Sequence, residues 1–130
     1  MNRPVVLVVD DQVGVRKLLE AALGAEGYGV VTAVHGQDAL ARVALLPQAP
    51  SLALVDMRMP VMDGARTLVA LKRKYPGLPV VVMTALGDVD REAELESLGA
   101  VRTIGKPFDL EKIRALVAEL LAKPEEVSET

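Results

Sequence analysis

The 130-residue chain carries 15 Lys and Arg against 18 Asp and Glu, a formal net charge of −3, and is 51% apolar. That length suits one ordinary domain with a packed core, and that apolar content excludes a disordered chain. The charge excludes the cationic rows that neutralise nucleic-acid phosphates; the lack of cysteine excludes a disulfide framework or thiolate metal site; no apolar run nears the roughly 18 residues of a membrane span.

Val5–Val9 (VVLVV) is a continuous apolar run, the mark of a strand buried on both faces. Val15, Leu18, Leu19, Ala22 and Leu23 follow at helical spacing. Val30–Ala33 is a second strand, and Leu40 and Val43 open a helix within Gln37–Leu46. Leu52–Val55 is a third strand, continuous like the first. Leu68 and Leu71 mark a helix over Gly64–Lys74, with Asp63 as its N-cap. Val80–Met83 is a fourth strand. The segment Asp88–Leu98 bears five acids over a thin stripe of Ala93, Leu95 and Leu98, so it is expected to be the most exposed and mobile helix, its acids a solvated face. Val101–Ile104 is a weaker fifth strand. Leu110, Ile113, Val117, Leu120 and Leu121 form the clearest helical stripe, after the N-cap Asp109. Gly and Pro fall between the elements.

The pattern is (βα)5: an α/β fold with a single doubly wound parallel sheet. Right-handed crossovers favour the strand order 2-1-3-4-5, with a crevice at the carboxyl ends of strands 1 and 3. One domain is expected over residues 1–122, and residues 123–130 (KPEEVSET) read as a polar tail.

Chemistry collects at those ends. Strand 1 runs into Asp10 and Asp11, strand 3 into Asp56, strand 4 into Thr84 and strand 5 into Lys106. Read alone, Asp10–Asp11 could be a helix cap with an exposed acid, and Thr84 could be strand filler. Together, three close carboxylates repel unless a cation sits among them. An oxygen-only set without His or Cys suits Mg²⁺ or Mn²⁺ rather than zinc. Such a metal attracts a phosphoryl group, whose transfer needs charge neutralisation and in-line positioning. Lys106 and Thr84 can each hold a phosphoryl oxygen, and Asp56, apart from the acidic pair, is best placed as nucleophile. His35, the one histidine, is expected in solvent, without the partners of a phosphohistidine site; Met57, Met59 and Met62 are expected to pack around the pocket.

Other chemistries fit less well. An aspartyl-phosphate phosphatase of the haloacid-dehalogenase type shares Asp, Thr, Lys and Mg²⁺, but uses D-x-D after strand 1 and a cap domain. A flavodoxin-like cofactor site needs a phosphate-cradling loop, where DDQVGVR offers carboxylates. No G-x-x-x-x-G-K-[ST] is present.

The pieces VLVVDDQ, LALVDMRMPVMDG, VVVMTA and LGAVRTIGKPFD, each after a predicted strand, resemble the two-component response-regulator receiver domain over residues 4–122. The resemblance implies that Asp56 accepts phosphoryl from a phosphohistidine of a sensor histidine kinase. It implies that Asp10, Asp11, Asp56 and the backbone carbonyl of Arg58 hold Mg²⁺, that Thr84 and Lys106 bind phosphoryl oxygens, and that the Lys106–Pro107 bond is cis. It also implies a cytoplasmic signalling protein that catalyses only its own phosphorylation and slow dephosphorylation.

A narrower resemblance is to the single-domain, sporulation-type phosphorelay intermediates. They hand phosphoryl to a helical histidine phosphotransferase and dock partners at the positions held here by Gln12, Gly14, Val15, Leu18, Pro107 and Phe108. The alternative is the receiver of a larger regulator with a separate output. Thr103 stands where receivers often carry an aromatic switch residue, which suits a relay. Val13 lacks the aromatic of the relay class. Arg58 and Leu86, each two residues past Asp56 and Thr84, are expected to hinder an attacking water and prolong the phosphoaspartate. A monomer is expected, because the acidic helix lacks the mixed charges and apolar patch of a symmetric interface.

Overall fold

The computed structural model describes residues 3–85 and 91–122. Five parallel strands, β1 (Val5–Val9), β2 (Gly29–Ala33), β3 (Leu52–Asp56), β4 (Val80–Thr84) and β5 (Arg102–Gly105), form one sheet in the order β2-β1-β3-β4-β5. The helices are α1 (Val13–Ala25), α2 (Gly36–Ala44), α3 (Gly64–Lys74), α4 (Glu92–Ser97) and α5 (Leu110–Leu120). This is the (βα)5 order expected from the apolar runs.

Alternate strand residues feed two cores. Leu7, Val9, Ala53, Val55, Val80 and Val82 pack with Val43 of α2, Leu68 and Leu71 of α3, and Leu95 of α4. Val6, Val8, Leu52, Leu54, Val81 and Met83 pack with Leu19 and Leu23 of α1 and Ile113 and Val117 of α5. Both faces of the three central strands are therefore covered, which is why their sequences are apolar without alternation. The flanking strands β2 and β5 are mostly half-buried.

Local chemistry ends the helices where the sequence suggests. After α1, Gly27 adopts φ 96°, and the amide of Tyr28 donates to the carbonyl of Leu23, closing a Schellman turn that a side chain at Gly27 would strain. Asp63 and Asp109 cap α3 and α5, accepting from the amides of Arg66 and Glu111.

Several expectations need correction. β3 and β4 run one residue further than the apolar pattern, through Asp56 and Thr84, and β5 is shifted by one residue. Leu18 leaves the buried stripe of α1 and is 46% exposed. Within α4 only Leu95 is buried, while Ala93 is exposed. The expected start of that helix, residues 88–90, lies outside the described residues, as does the tail from 123. His35 is not an idle solvent residue: it is the N-cap of α2, its Nδ1 accepting from the amide of Asp38 at 3.1 Å. Asp38 accepts in turn from the amide of Val34, the residue before the cap, at 3.0 Å.

Val61, between β3 and α3, has φ 71°, and the amide of Met62 donates to the carbonyl of Pro60 across it at 2.7 Å. A β-branched residue at the centre of such a tight turn is strained by about 1–3 kcal/mol. Its side chain is 67% exposed, so packing returns little. Val61→Gly is expected to raise stability by about 1 kcal/mol after the entropic cost of glycine, measured by urea denaturation.

Candidate functional site

The carboxyl ends of β1, β3, β4 and β5 bring the acids, the threonine and the lysine to one edge of the sheet. Asp10 follows β1 and is fully buried. Its backbone amide donates to the carbonyl of Ala33, its own carbonyl accepts from Arg16 Nη1 at 2.8 Å, and its Oδ1 accepts from the amide of Gln12 at 2.9 Å. Its Oδ2 accepts from Lys106 Nζ at 2.6 Å. Lys106 lies 3.4 Å from Asp56 Oδ1, and its backbone amide donates to the carbonyl of Thr84 at 2.6 Å. The lysine is thus tied to the edge through both its amide and its ammonium.

Asp56 ends the central strand β3 and is 6% exposed. Burial, then the nearby charge of Asp10, pushes its carboxyl up to about 6, against the downward pull of Lys106 and the backbone amide of Arg58. The backbone after Asp56 is buttressed by Gly64: a Cβ there would lie 2.5 Å from the Asp56 carbonyl oxygen and 2.6 Å from Met57 Cα. The glycine of MDG is therefore required by close approach, and its amide donates to the carbonyl of Met57 at 2.8 Å.

Carboxylate oxygens of Asp10, Asp11 and Asp56 lie within 4.8 Å of one another, with Asp11 exposed and the other two buried. This all-oxygen set fits a hard divalent cation such as Mg²⁺ or Mn²⁺. Outside the triad opens a cleft of about 530 Å³ lined by Asp11, Met57, Arg58, Met59, Pro60, Asp63 and Arg91.

The remaining site residues divide. Thr84 is buried at the end of β4, and its hydroxyl donates to the carbonyl of Ile104 at 3.4 Å. Met57 and Met59 line the cleft, whereas Met62 packs beside Gly36 and Thr67 and is not part of the cleft lining. Gln12, Gly14, Leu18 and Pro107 are exposed, and Val15 and Phe108 half-buried, at the start of α1 and the β5–α5 loop. The Lys106–Pro107 bond is cis, as expected. Leu86 lies outside the described residues. Sequence reasoning missed Arg16, Arg91 and the contact of Gln12 Oε1 with Lys106 Nζ at 3.2 Å. Only the last had a signal: a glutamine, a poor capping residue, at the start of α1.

The family model for the response regulator receiver domain matches residues 6–118. The chain is 40% identical over 116 residues to sporulation initiation phosphotransferase F of Bacillus subtilis, covering 89% of this chain and 92% of that protein. It is 39% identical over 126 residues to the DNA-binding transcriptional regulator NtrC of Salmonella typhimurium, covering 97% of this chain but only 26% of the regulator. The match to the probable transcriptional regulator ycf27 of Cyanophora paradoxa, 40% identical, likewise spans about half of that protein (51%). Among solved structures, the chemotaxis protein CheY4 of Vibrio cholerae superposes with a TM-score of 0.84 at 28% identity, covering 92% of this chain and 99% of that one. A CheY-like receiver domain protein of Methanospirillum hungatei gives 0.86 at 25% identity, covering 99% of this chain and 100% of that one. A family model that spans most of the chain, relatives of 39–40% identity and the shared five-stranded order agree, and the chain belongs to the response regulator receiver domain family.

Proposed function

We propose that this receiver accepts a phosphoryl group on Asp56 from the phosphohistidine of a sensor kinase and passes it to a histidine phosphotransferase. Phosphoryl transfer to an aspartate and binding of Mg²⁺ are general features of the family. The observation that carries the assignment to Asp56 is its position: a 6% exposed carboxylate at the end of the central strand, 3.4 Å from Lys106 and beside two further carboxylates.

In this reading an Asp56 oxygen attacks phosphorus, the O–P bond forms as the donor's P–N bond breaks, and the imidazole leaves with the electron pair. Asp10, Asp11, Asp56 and the Arg58 carbonyl would hold Mg²⁺, which when bound neutralises charge on the transferring group. Lys106 meets one phosphoryl oxygen with its ammonium. Thr84 exchanges its long bond to Ile104 for a second. Asp10, held through its amide, its carbonyl and its Oδ1, keeps Lys106 oriented through Oδ2. The protein acts only on its own Asp56, with slow dephosphorylation, and works as a cytoplasmic monomer. Among the described residues no helix is long and apolar enough to cross a membrane.

Two observations support the relay. The sporulation initiation phosphotransferase of Bacillus subtilis is matched over 92% of its length, and Thr103 occupies the position of the aromatic switch. Gln12, Gly14, Val15, Leu18, Pro107 and Phe108 would form the docking surface. The similarity to the NtrC regulator favours the second reading, a receiver that switches a separate output. Reversible transfer to a purified helical-bundle histidine phosphotransferase tests the relay: radiolabel moving from the phosphorylated chain to that protein within minutes supports it, and label lost only to water favours the switch. Arg58 lines the cleft beside Asp56. Replacing Arg58 with Ala is expected to shorten the phosphoaspartate half-life by about three- to tenfold, a modest change in barrier; an unchanged half-life removes Arg58 as a shield against water.

A further inference from the structure

We infer that Gln12 is a positioning residue for Lys106, its side chain committed to the ammonium rather than to the helix that it precedes. The inference rests on Asp56 being the phosphoryl acceptor.

Gln12 stands at the N-cap of α1 with extended backbone, φ −90° and ψ 117°, yet makes no side-chain cap bond. Three other helices are capped by side chains, from His35, Asp63 and Asp109. A Ser, Thr, Asp or Asn here would satisfy one of the amides that the start of α1 leaves without an intrahelical partner. Gln12 instead turns its exposed side chain along the rim of the pocket to the lysine. Its Oε1 accepts from Lys106 Nζ at 3.2 Å while its backbone amide donates to Asp10 Oδ1 at 2.9 Å.

The ammonium has three protons, and three protein oxygens surround it: Asp10 Oδ2 at 2.6 Å, Gln12 Oε1 at 3.2 Å and Asp56 Oδ1 at 3.4 Å. Among the described residues, Gln12 supplies the one neutral acceptor. Without it, only two carboxylates of the pocket fix the lysine, and its third proton faces water. During transfer, negative oxygens move in front of Lys106. An ammonium held at its outer side by a neutral group meets them already oriented. A carboxylate in the place of Gln12 would compete for the charge that the phosphoryl group needs.

Two variants separate positioning from stability. Gln12→Ser can cap α1 but cannot reach Nζ; Gln12→Met keeps the reach but has no acceptor oxygen and no cap. Phosphorylation by phosphoramidate is followed by mass spectrometry; here ammonia leaves with the P–N electron pair as the Asp56 O–P bond forms. Both variants are expected to react about five- to tenfold more slowly, as for loss of one hydrogen bond to a charged group. Only Gln12→Ser should melt higher than the natural chain. In metal-free ¹⁵N-labelled protein, the Lys106 ammonium signal should be sharp in the natural chain and lost to solvent exchange in both variants. Natural rates in either variant, a retained ammonium signal, or rates that follow melting temperature overturn the inference. If the natural chain takes no phosphoryl group although its ammonium signal is present and Gln12-dependent, the reading of Asp56 fails instead, and the positioning role falls with it.

Discussion

Lys106→Met should lower the stability of the metal-free protein by about 3 kcal/mol at neutral pH. The lysine is the ion-pair partner of Asp10, a carboxylate with no exposed surface, at 2.6 Å. Removing one member of such a pair leaves a buried charge without compensation, which costs more than the pair itself contributes. Asp11 and Asp56 lie close by and add repulsion. Adding Asp10→Asn to Lys106→Met should recover most of the loss, since the amide carries no charge to strand. Urea denaturation of the four proteins of this double-mutant cycle gives the coupling directly. A loss below about 0.5 kcal/mol, within the range of ordinary surface substitutions, would mean that the ammonium is not the counter-ion of Asp10.

Asp56→Asn should do the opposite and stabilise the metal-free protein. The carboxyl of Asp56 is pushed from 3.8 up to about 6 in the folded chain, by burial first and then by Asp10. Below about pH 4 both folded and unfolded chains hold the proton, so there is no penalty. Between about pH 4 and 6 the folded chain keeps a proton that the unfolded chain has lost, and stability falls as pH rises. Above about pH 6 the penalty is constant, at most about 3 kcal/mol from a shift of this size. Between about pH 4 and pH 7 the natural chain should therefore lose stability relative to Asp56→Asn, by up to about 3 kcal/mol. Added Mg²⁺ should stabilise the natural chain more than the variant, because binding to the folded state alone adds stability by mass action. Equal pH profiles for the two proteins would contradict the electrostatic description of the site.

The central strands were readable from sequence because both sheet faces are covered, so β1, β3 and β4 are uninterrupted apolar runs. Their functional ends were readable too, since a parallel sheet gathers the residues that follow its strands. Asp56 and Thr84 proved to be the last residues of their strands rather than the first of their loops, because sheet pairing reaches one residue beyond the apolar pattern. Leu18 shows the limit of periodicity: it shares the helical spacing of the buried stripe but lies past its edge, on the surface. His35 was misread because histidine is an unusual cap; its Nδ1 takes the place of the usual Ser, Thr, Asp or Asn oxygen. The pairing of Lys106 with Asp10, closer than with Asp56, depends on side-chain reach across 96 residues of chain, and no local pattern encodes it.

The central claim is that Asp56 is the phosphoryl acceptor of a metal-assisted receiver site. Intact-protein mass spectrometry after incubation with phosphoramidate, with and without Mg²⁺, tests it most directly when Asp56→Ala is run in parallel. A single phosphoryl adduct that requires Mg²⁺ and is absent from Asp56→Ala is the predicted result. No adduct on the natural chain, or one that survives Asp56→Ala, would contradict it.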